Sequence, residues 1–220
     1  MLDKAPSLIL RLFTSIRALI TKQNGMDLLS TDPRLPVMHL LRTILVIFGL
    51  FGLAVSASAD QNDPRLNDLF NRLKSATAPA SARAVEQQIW RIWLKTPHDT
   101  AQTLLDKGIQ RMQAGDLATA LAAFTHVVEA APDFAEGWNK RATVYYLMED
   151  FDASLKDIVK TLDLEPRHFG ALSGRGLIHI RLKNLKAALE AFEAALEFHP
   201  QAAGAKSNAD ALRQILQKDI

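Results

Sequence analysis

Few side chains in this sequence have types and spacings that could support catalysis or metal binding. His126 and Glu129 lie three residues apart on a helical pattern and could contact one metal ion, but two ligands do not form a metal site. The stretch 173–176 reads Ser-Gly-Arg-Gly, and its small residues fall where close helix packing needs them. Three further histidines are 11 and 20 residues apart, a spacing that matches no ligand pattern: His168, His179 and His199.

The sequence also lacks the short motifs of common enzyme classes. It contains no phosphate-binding loop, no Gly-x-Gly-x-x-Gly and no His-Glu-x-x-His. It has no Cys, which excludes disulfides, thiol catalysis, thiolate zinc sites and a lipidated N-terminal Cys. We therefore expect a protein that is not an enzyme and that binds no metal and no cofactor.

The basic character of the chain is concentrated near its N-terminus. The 220 residues carry 26 Lys and Arg against 24 Asp and Glu. Six of the basic and three of the acidic residues lie in 1–59, so 20 basic (26 minus 6) and 21 acidic (24 minus 3) residues remain in 60–220. Since a basic surface is the main sign of a nucleic-acid-binding protein, we expect no nucleic-acid partner.

Residues 38–59 have the features of a secretory signal peptide. Arg42 precedes an uncharged apolar run at 44–55, and the small residues Ala57 to Ala59 follow it. The run of 12 residues is shorter than the roughly 20 that span a bilayer. We expect cleavage after Ala59 and, with no Cys and no second anchor, a place in the periplasm of a Gram-negative cell. The alternative is an uncleaved anchor in the inner membrane, and this leader is then the membrane contact.

Residues 1–37 precede the signal and have two interpretations. The stretch 8–20 has the pattern of a short amphipathic helix with two arginines, which would suit a membrane surface. Alternatively, the true start is Met38 or Met26, and the upstream residues are not part of the protein.

From about residue 100 onwards the sequence repeats every 34 residues. Each unit has two helical patterns with a turn between them, marked by Asp116, Asp150 or Asn184. Small residues at two repeated positions let the paired helices approach closely, and large apolar residues fill the space around them. The repeated sets are Leu104, Trp138 and Leu172; Gly108, Ala142 and Gly176; Ala120, Ser154 and Ala188; Phe124, Ile158 and Phe192; and Pro132, Pro166 and Pro200.

This pattern resembles the tetratricopeptide repeat, in three units at 101–134, 135–168 and 169–201. The resemblance implies an all-α fold, a right-handed superhelical solenoid of helix-turn-helix repeats. Residues 202–220 have the pattern of one more helix, which is the C-terminal capping helix that such an array needs. Residues 60–99 predict two further helices, either a degenerate repeat or an unrelated hairpin at the N-terminal end of the array.

In proteins with this repeat, a partner segment is held on the concave surface, which the first helix of each unit lines. Carried over by register, the resemblance assigns the contacts to Leu105, Ile109, Met112, Asn139, Thr143, Tyr146, Leu177 and Ile180. The same register places Gln102, Glu136, Gly170 and Ser173 on this surface. The family's carboxylate clamp for chaperone tails has Lys and Asn where this chain has Leu105 and Ile109, so that clamp is not expected.

The predicted function is therefore protein binding without catalysis. The partner is a protein or peptide segment in the concave groove, held as an extended chain or an amphipathic helix. The resemblance implies an adaptor or scaffold in the assembly or integrity of the cell envelope. The alternatives are a dedicated assembly factor for a secretion, pilus or cytochrome-maturation system, and a regulator of cell-wall enzymes.

Overall fold

The computed structural model describes residues 60–218, which form nine α-helices and no strand within that range. The helices are α1 (Arg65–Ser75), α2 (Pro79–Trp93), α3 (Asp99–Gln113), α4 (Leu117–Ala130), α5 (Ala135–Leu147), α6 (Phe151–Leu164), α7 (Phe169–Arg181), α8 (Leu185–Phe198) and α9 (Ala203–Lys218). The expected all-α fold is confirmed. The extension, the signal peptide and its cleavage site lie at 1–59, outside the described residues, and stay predictions.

A tight turn joins the two helices of each repeat, and the repeated Asp or Asn explains it. These side chains begin the second helices, and each accepts a hydrogen bond from the backbone N–H three residues later: Asp116 from Thr119 at 3.2 Å, Asp150 from Ala153 at 3.1 Å and Asn184 from Ala187 at 3.5 Å. Such a cap contributes about 0.5–2 kcal/mol relative to alanine. The residue before each cap adopts the left-handed conformation, with φ of 77° at Gly115, 62° at Glu149 and 59° at Lys183.

The small residues of the pattern lie where the paired helices are closest. A Cβ added to Gly108 would lie 2.5 Å from the ring of Phe124, and one added to Gly176 would lie 2.7 Å from the ring of Phe192. Both rings are buried. In the middle repeat, Ser154 occupies the second of the two small positions, and its hydroxyl donates to the backbone carbonyl of Ala142 in α5, at 2.7 Å. Each helix pair therefore repeats one local packing arrangement.

We expect Gly176→Leu to lower the free energy of unfolding by about 1–3 kcal/mol, because the added side chain has to displace a closely packed ring. Gly174→Ala is the matched control on the same helix, since a Cβ there meets only Ile158, at 3.7 Å. That control should be neutral or stabilising by up to about 1 kcal/mol, as expected for Gly→Ala in a helix. Urea denaturation measures both, and equal stabilities for the two variants would contradict the packing described.

The hairpin of α1 and α2 packs against α7 and α8, and it shares one apolar cluster with α9. Among the described residues, the apolar cluster to which it belongs takes no member from the first repeat. Both interpretations of residues 60–99 put this hairpin at the N-terminal end of the stack, and the structure instead places it across the third repeat. Its buried members are Leu66, Leu69, Phe70, Leu73, Ala82, Val85, Ile89, Ile92 and Trp93, packed with Phe169, Leu172, Phe192 and Leu212 among others.

Polar contacts also fix the hairpin to the repeats. The side-chain amide of Gln61 donates to the carbonyl of Asp133 at 2.5 Å and accepts from the N–H of Ala135 at 3.2 Å, so it caps the start of α5. Arg167 donates to Asn67 at 2.9 Å, and its guanidinium lies 4.4 Å from the centre of a phenylalanine ring of α1. Gln61 thus holds the segment before α1 against the end of the first repeat and the start of the second, and Arg167 holds α1 against the end of the second repeat.

The last helix, α9, closes the C-terminal end of the array. It packs against α8 through Ala205, Ala209 and Leu212, which are buried. Ile215, one turn after Leu212 on the same helix, is 45% exposed. Over the described range, 60–218, none of the helices has the length and apolar character needed to cross a membrane.

Candidate functional site

A cleft between α5 and α7 brings together four of the eight predicted contact residues. Asn139, Thr143 and Tyr146 line it from α5, and Leu177 lines it from α7. Its volume is about 310 Å³, and its lining is mostly apolar. The remaining lining residues include Ala142, Leu147, Ile158, Gly174 and Ile178.

The apolar side chains at the mouth of this cleft are accessible to solvent. Leu147 is 48% exposed and Leu177 is 37% exposed. The ring of Tyr146 is half-buried and packs against Phe151, with 5.9 Å between centroids. The hydroxyl of Thr143 donates to a backbone carbonyl one turn earlier, at 2.9 Å. Because that hydroxyl already has an internal acceptor, the cleft offers a partner mainly apolar contacts.

Two of the predicted contact residues are buried. Leu105 has no exposed surface and belongs to the core of the first repeat. Its side chain is therefore unavailable to a partner, and Val144 of the second repeat belongs to the same cluster. Asn139 is 7% exposed, and its Nδ2 donates to a carboxylate oxygen of Glu136 at 2.9 Å. The resemblance assigned these positions by register alone, which does not show how closely the neighbouring repeat packs.

The other three predicted contact residues lie outside the cleft. Ile109 and Met112 are half-buried against the core of the first repeat. Ile180 is half-buried against the cluster that contains the hairpin. Their contact with a partner remains a prediction that the geometry of the cleft does not support.

Part of the predicted concave surface is covered by the hairpin. A Cβ at Gly170 would lie 2.8 Å from the indole of Trp90, so the hairpin is in close contact there. The ammonium of Lys140 lies 5.5 Å from the centre of the same indole. At Gly170 the predicted concave surface is thus occupied by a side chain of the hairpin.

A cluster of buried charged and polar side chains adjoins this covered region. The carboxylate of Glu136 is 1% exposed and receives the ammonium of Lys140 and Nε2 of His168, each at 2.9 Å. Nδ1 of His168 accepts from the N–H of Ala171 at 3.1 Å, so Nε2 carries the proton that is donated to the carboxylate. Burial raises the pKa of Glu136, but the positive charge of Lys140 and the bond from His168 outweigh it and hold that pKa below its usual value.

Sequence reasoning missed this cluster. Its members are far apart in the chain, and His168 had been considered only as a metal ligand. The one feature of the sequence that could have indicated a structural role is the position of His168 directly before a helical pattern, where a ring nitrogen can cap the first N–H groups of the helix. Trp93 of α2 stacks on the imidazole, with ring centroids 4.1 Å apart and an angle of 9° between the planes. The cluster therefore connects the hairpin, the second repeat and the third, and its role is structural.

The other residues considered for chemistry are not brought together. Nδ1 of His126 lies 3.0 Å from the carboxylate of Glu129, and both side chains are exposed. In the described part of the chain, no group of three or more His, Asp or Glu residues is placed to hold a metal ion. The glycines at 174 and 176 lie inside α7, where the second of them packs against a phenylalanine ring.

Comparison with known proteins identifies related sequences. A family model described as tetratricopeptide repeat matches residues 105–147 and 140–203. A TPR repeat-containing protein of Rhizobium etli is 32% identical over 152 residues, which cover 69% of this chain and 74% of that protein. A tetratricopeptide repeat protein 36 homolog of Nematostella vectensis is 33% identical over 65 residues, or 30% of this chain and 36% of that one.

Solved structures share the fold of the repeats. The first TPR domain of Spaghetti, bound to an HSP90 peptide, has a TM-score of 0.53 and 24% identity, over 55% of this chain and 95% of that chain. The TPR domain of Arabidopsis OM64 has a TM-score of 0.52 and 21% identity, over 53% of this chain and 97% of that one. At these identities the likeness establishes the fold and not the ligand.

Proposed function

Because this chain belongs to the tetratricopeptide repeat family, we propose that it is a non-catalytic protein-binding module that holds a partner segment in the cleft between α5 and α7. The observation that carries the proposal is the open, mostly apolar cleft with Leu147 and Leu177 exposed at its mouth. Contiguous exposed apolar surface beside a cleft commonly marks a site where a partner binds.

The lining defines the chemistry of the segment. Apolar side chains of the partner enter the cleft, from one face of an amphipathic helix or from alternate residues of an extended chain. The related Spaghetti domain holds a peptide of HSP90, which supports a peptide as the ligand class. Leu105 and Ile109 occupy the clamp positions in this chain, so the proposed segment is an apolar internal one and not an acidic C-terminal tail.

We further propose that the protein works in the periplasm, as an adaptor or scaffold in assembly or maintenance of the cell envelope. The signal-like sequence at 38–59 supports this location. A general scaffold would retain several envelope proteins, whereas a dedicated assembly factor would retain one dominant partner in a fixed ratio. A regulator of cell-wall enzymes would retain a hydrolase and change its rate.

Leu177→Glu should abolish partner retention, because it puts a charge at the mouth of an apolar cleft. The exposed side chain makes it compatible with folding. Val159→Glu is the matched control, since Val159 is an apolar residue of α6, 55% exposed, that does not line the cleft. The tagged full chain and both variants are purified from the envelope fraction of the source organism, and the retained proteins are quantified by mass spectrometry.

A partner that is retained by the parent and the control, but reduced at least tenfold with Leu177→Glu, would support the cleft as the binding site. Equal retention by both variants would contradict it. Leu105 and Asn139 are unsuitable for this test, since both are buried and their replacement would disturb folding.

A further inference from the structure

Gly174 differs from the other glycines of the first helices of the repeats, α3, α5 and α7. Each of the other four has a side-chain atom 2.5–2.8 Å from the place where a Cβ would be, which is too close for a side chain. At Gly174 the nearest atom is Cδ1 of Ile158, at 3.7 Å, an ordinary van der Waals distance. Gly174 is half-buried and lines the cleft between α5 and α7. The folded repeats therefore leave open the space beside it.

Neither the repeat pattern nor the backbone requires a glycine at 174. The same position holds Asp106 in the first repeat and Lys140 in the second, 68 and 34 residues earlier. The position that helix pairing keeps small is that of Gly176. Gly174 lies inside α7 without a positive φ, and glycine lowers the stability of a helix relative to alanine. The expectation that close helix packing explains both glycines of 173–176 is therefore wrong for Gly174.

Elsewhere in the first helices, a glycine is most often the place where an aromatic ring packs. Ring atoms lie 2.5–2.8 Å from the position of the missing Cβ in three pairs: Gly108 with Phe124, Gly176 with Phe192 and Gly170 with Trp90. The first two rings belong to the same repeat as their glycine. The third belongs to the hairpin, 80 residues earlier in the chain, so a separate element docks on α7 by placing a ring over a glycine.

The cleft continues this interface between the hairpin and α7. Gly170 and Gly174 both line the cleft, and a spacing of four residues puts them on one side of the helix, about 6 Å apart along its axis. A ring over Gly174 would lie at about that distance from the partly exposed indole of Trp90. Aromatic pairs have centroid separations of about 4.5–7 Å, so the two rings would be in favourable contact.

The remaining walls of the cleft also suit a ring. Leu177 is 37% exposed beside the glycine, and the ring of Tyr146 is half-buried in the same lining. The volume of about 310 Å³ has room for one large side chain. Aromatic side chains contribute more apolar contact area than aliphatic ones, so a ring gains the most from this space.

We propose that Gly174 makes this cleft selective for a partner segment with an aromatic anchor, a Phe, Tyr or Trp whose ring lies over the glycine next to Trp90. The inference rests on the proposed function, because it names the anchor of the segment that the same cleft holds. No Phe, Tyr or Trp within 60–218 is exposed, so the folded surface of a second copy offers no such ring. The occupant is therefore a segment of a different protein.

The probe is a library of random dodecapeptides displayed on phage and selected on the immobilised full chain. The selected peptides should share an aromatic residue at one fixed position, and Leu177→Glu should bind them about tenfold or more weakly. Replacing the shared aromatic residue by leucine in a synthetic peptide should weaken its binding to the parent about tenfold or more, measured by isothermal titration.

Gly174→Ala then tests where the ring lies. The rings at the other three glycines occupy the place of a Cβ, so a methyl group at 174 displaces a ring that packs in the same way. The variant should weaken the aromatic peptide about tenfold and change the leucine peptide by less than about twofold, which is the coupling expected of two groups in contact. Gly204→Ala is the matched control: its Cβ meets nothing within 4 Å, it lies outside this cleft, and it should change neither affinity.

Two results would overturn the inference and leave the cleft as a peptide site. One is a set of selected peptides that depend on Leu177 but share no aromatic residue. The other is an equal effect of Gly174→Ala on the aromatic peptide and on its leucine version. Peptides that Leu177→Glu binds as tightly as the parent would instead contradict the proposed function, and a selection that retains no peptide above background would overturn both.

Discussion

Replacing Trp93 by alanine should lower the free energy of unfolding by about 3–5 kcal/mol, the range found for large aromatic residues in a core. The side chain is 1% exposed. Its ring stacks on His168 and packs against Phe70, Phe169 and Trp90, at centroid distances of 4.1 to 5.8 Å. Because these rings belong to the hairpin, to the last residue of the second repeat and to the start of the third, the truncation leaves a cavity where the hairpin meets the repeats.

Urea denaturation followed by circular dichroism measures this loss, provided that unfolding is two-state. Trp138→Ala is the matched control within the repeats. That tryptophan is half-buried, and its indole N–H donates to the carbonyl of Pro132 at 2.9 Å. Trp138→Ala should therefore lower the free energy of unfolding by clearly less than Trp93→Ala does. A loss below about 1 kcal/mol for Trp93→Ala would show that the hairpin is not an integral part of the fold.

Glu136→Gln should lower the free energy of unfolding by about 3 kcal/mol, because it removes the negative charge at the centre of a buried ion pair. The change leaves Lys140, with only 18% of its side chain exposed, without a counter-charge. Asn139 and His168 both donate to the same carboxylate oxygen, so the amide oxygen of glutamine can accept both bonds, but its NH2 group then faces the ammonium of Lys140, a donor against a donor. The exposed Glu129→Gln is the matched control and should be nearly neutral.

The effect of Glu136→Gln should depend on pH in one direction. Lys140 and His168 hold the pKa of Glu136 below its usual value of 4.5, against the effect of burial. The folded protein therefore releases this proton more readily than the unfolded chain. The stabilisation is fully present above about pH 4.5 and is lost as the pH falls through the lower pKa of the folded state.

The free energy of unfolding, measured between pH 7 and pH 3, should be higher for the parent at neutral pH and should approach that of Glu136→Gln as the pH falls. A hydrogen bond from Arg65 also lowers the pKa of Asp63. Its contribution to the pH dependence is the same in both proteins, so it cancels when their free energies of unfolding are subtracted. A difference that stays constant with pH would mean that the charge of Glu136 does not stabilise the fold.

The repeats could be predicted in detail from the sequence, because each of their positions has a local physical cause. Gly176 packs against Phe192 sixteen residues later, and the same contact recurs between Gly108 and Phe124. Asp150 caps the helix that directly follows it. Contacts at short and constant separation appear in the sequence as a period, so the helix pairs follow from the pattern alone.

The candidate site could be predicted only in part. Register assigned Thr143, Tyr146 and Leu177 to the concave surface, and these three line the open cleft. It also assigned Leu105 to that surface, but Leu105 is buried in the core of the first repeat, in a cluster that includes Val144 of the next repeat. Exposure depends on what the neighbouring unit contributes, and a repeat pattern contains no information about that contribution.

By itself, the sequence determined the 34-residue helix pairs, their turns and the absence of Cys chemistry, since these depend on residue type and short-range spacing. Only the tertiary structure decided where the hairpin lies. The apolar stripe of α1 predicts burial but not the surface that buries it, because hydrophobic contact is not directional. Gly170 shows the difference: it is one more small residue in the sequence, but in the fold it leaves the space that Trp90 occupies. The cluster around Glu136 likewise depends on contacts of the hairpin with the repeats, which no period in the sequence records.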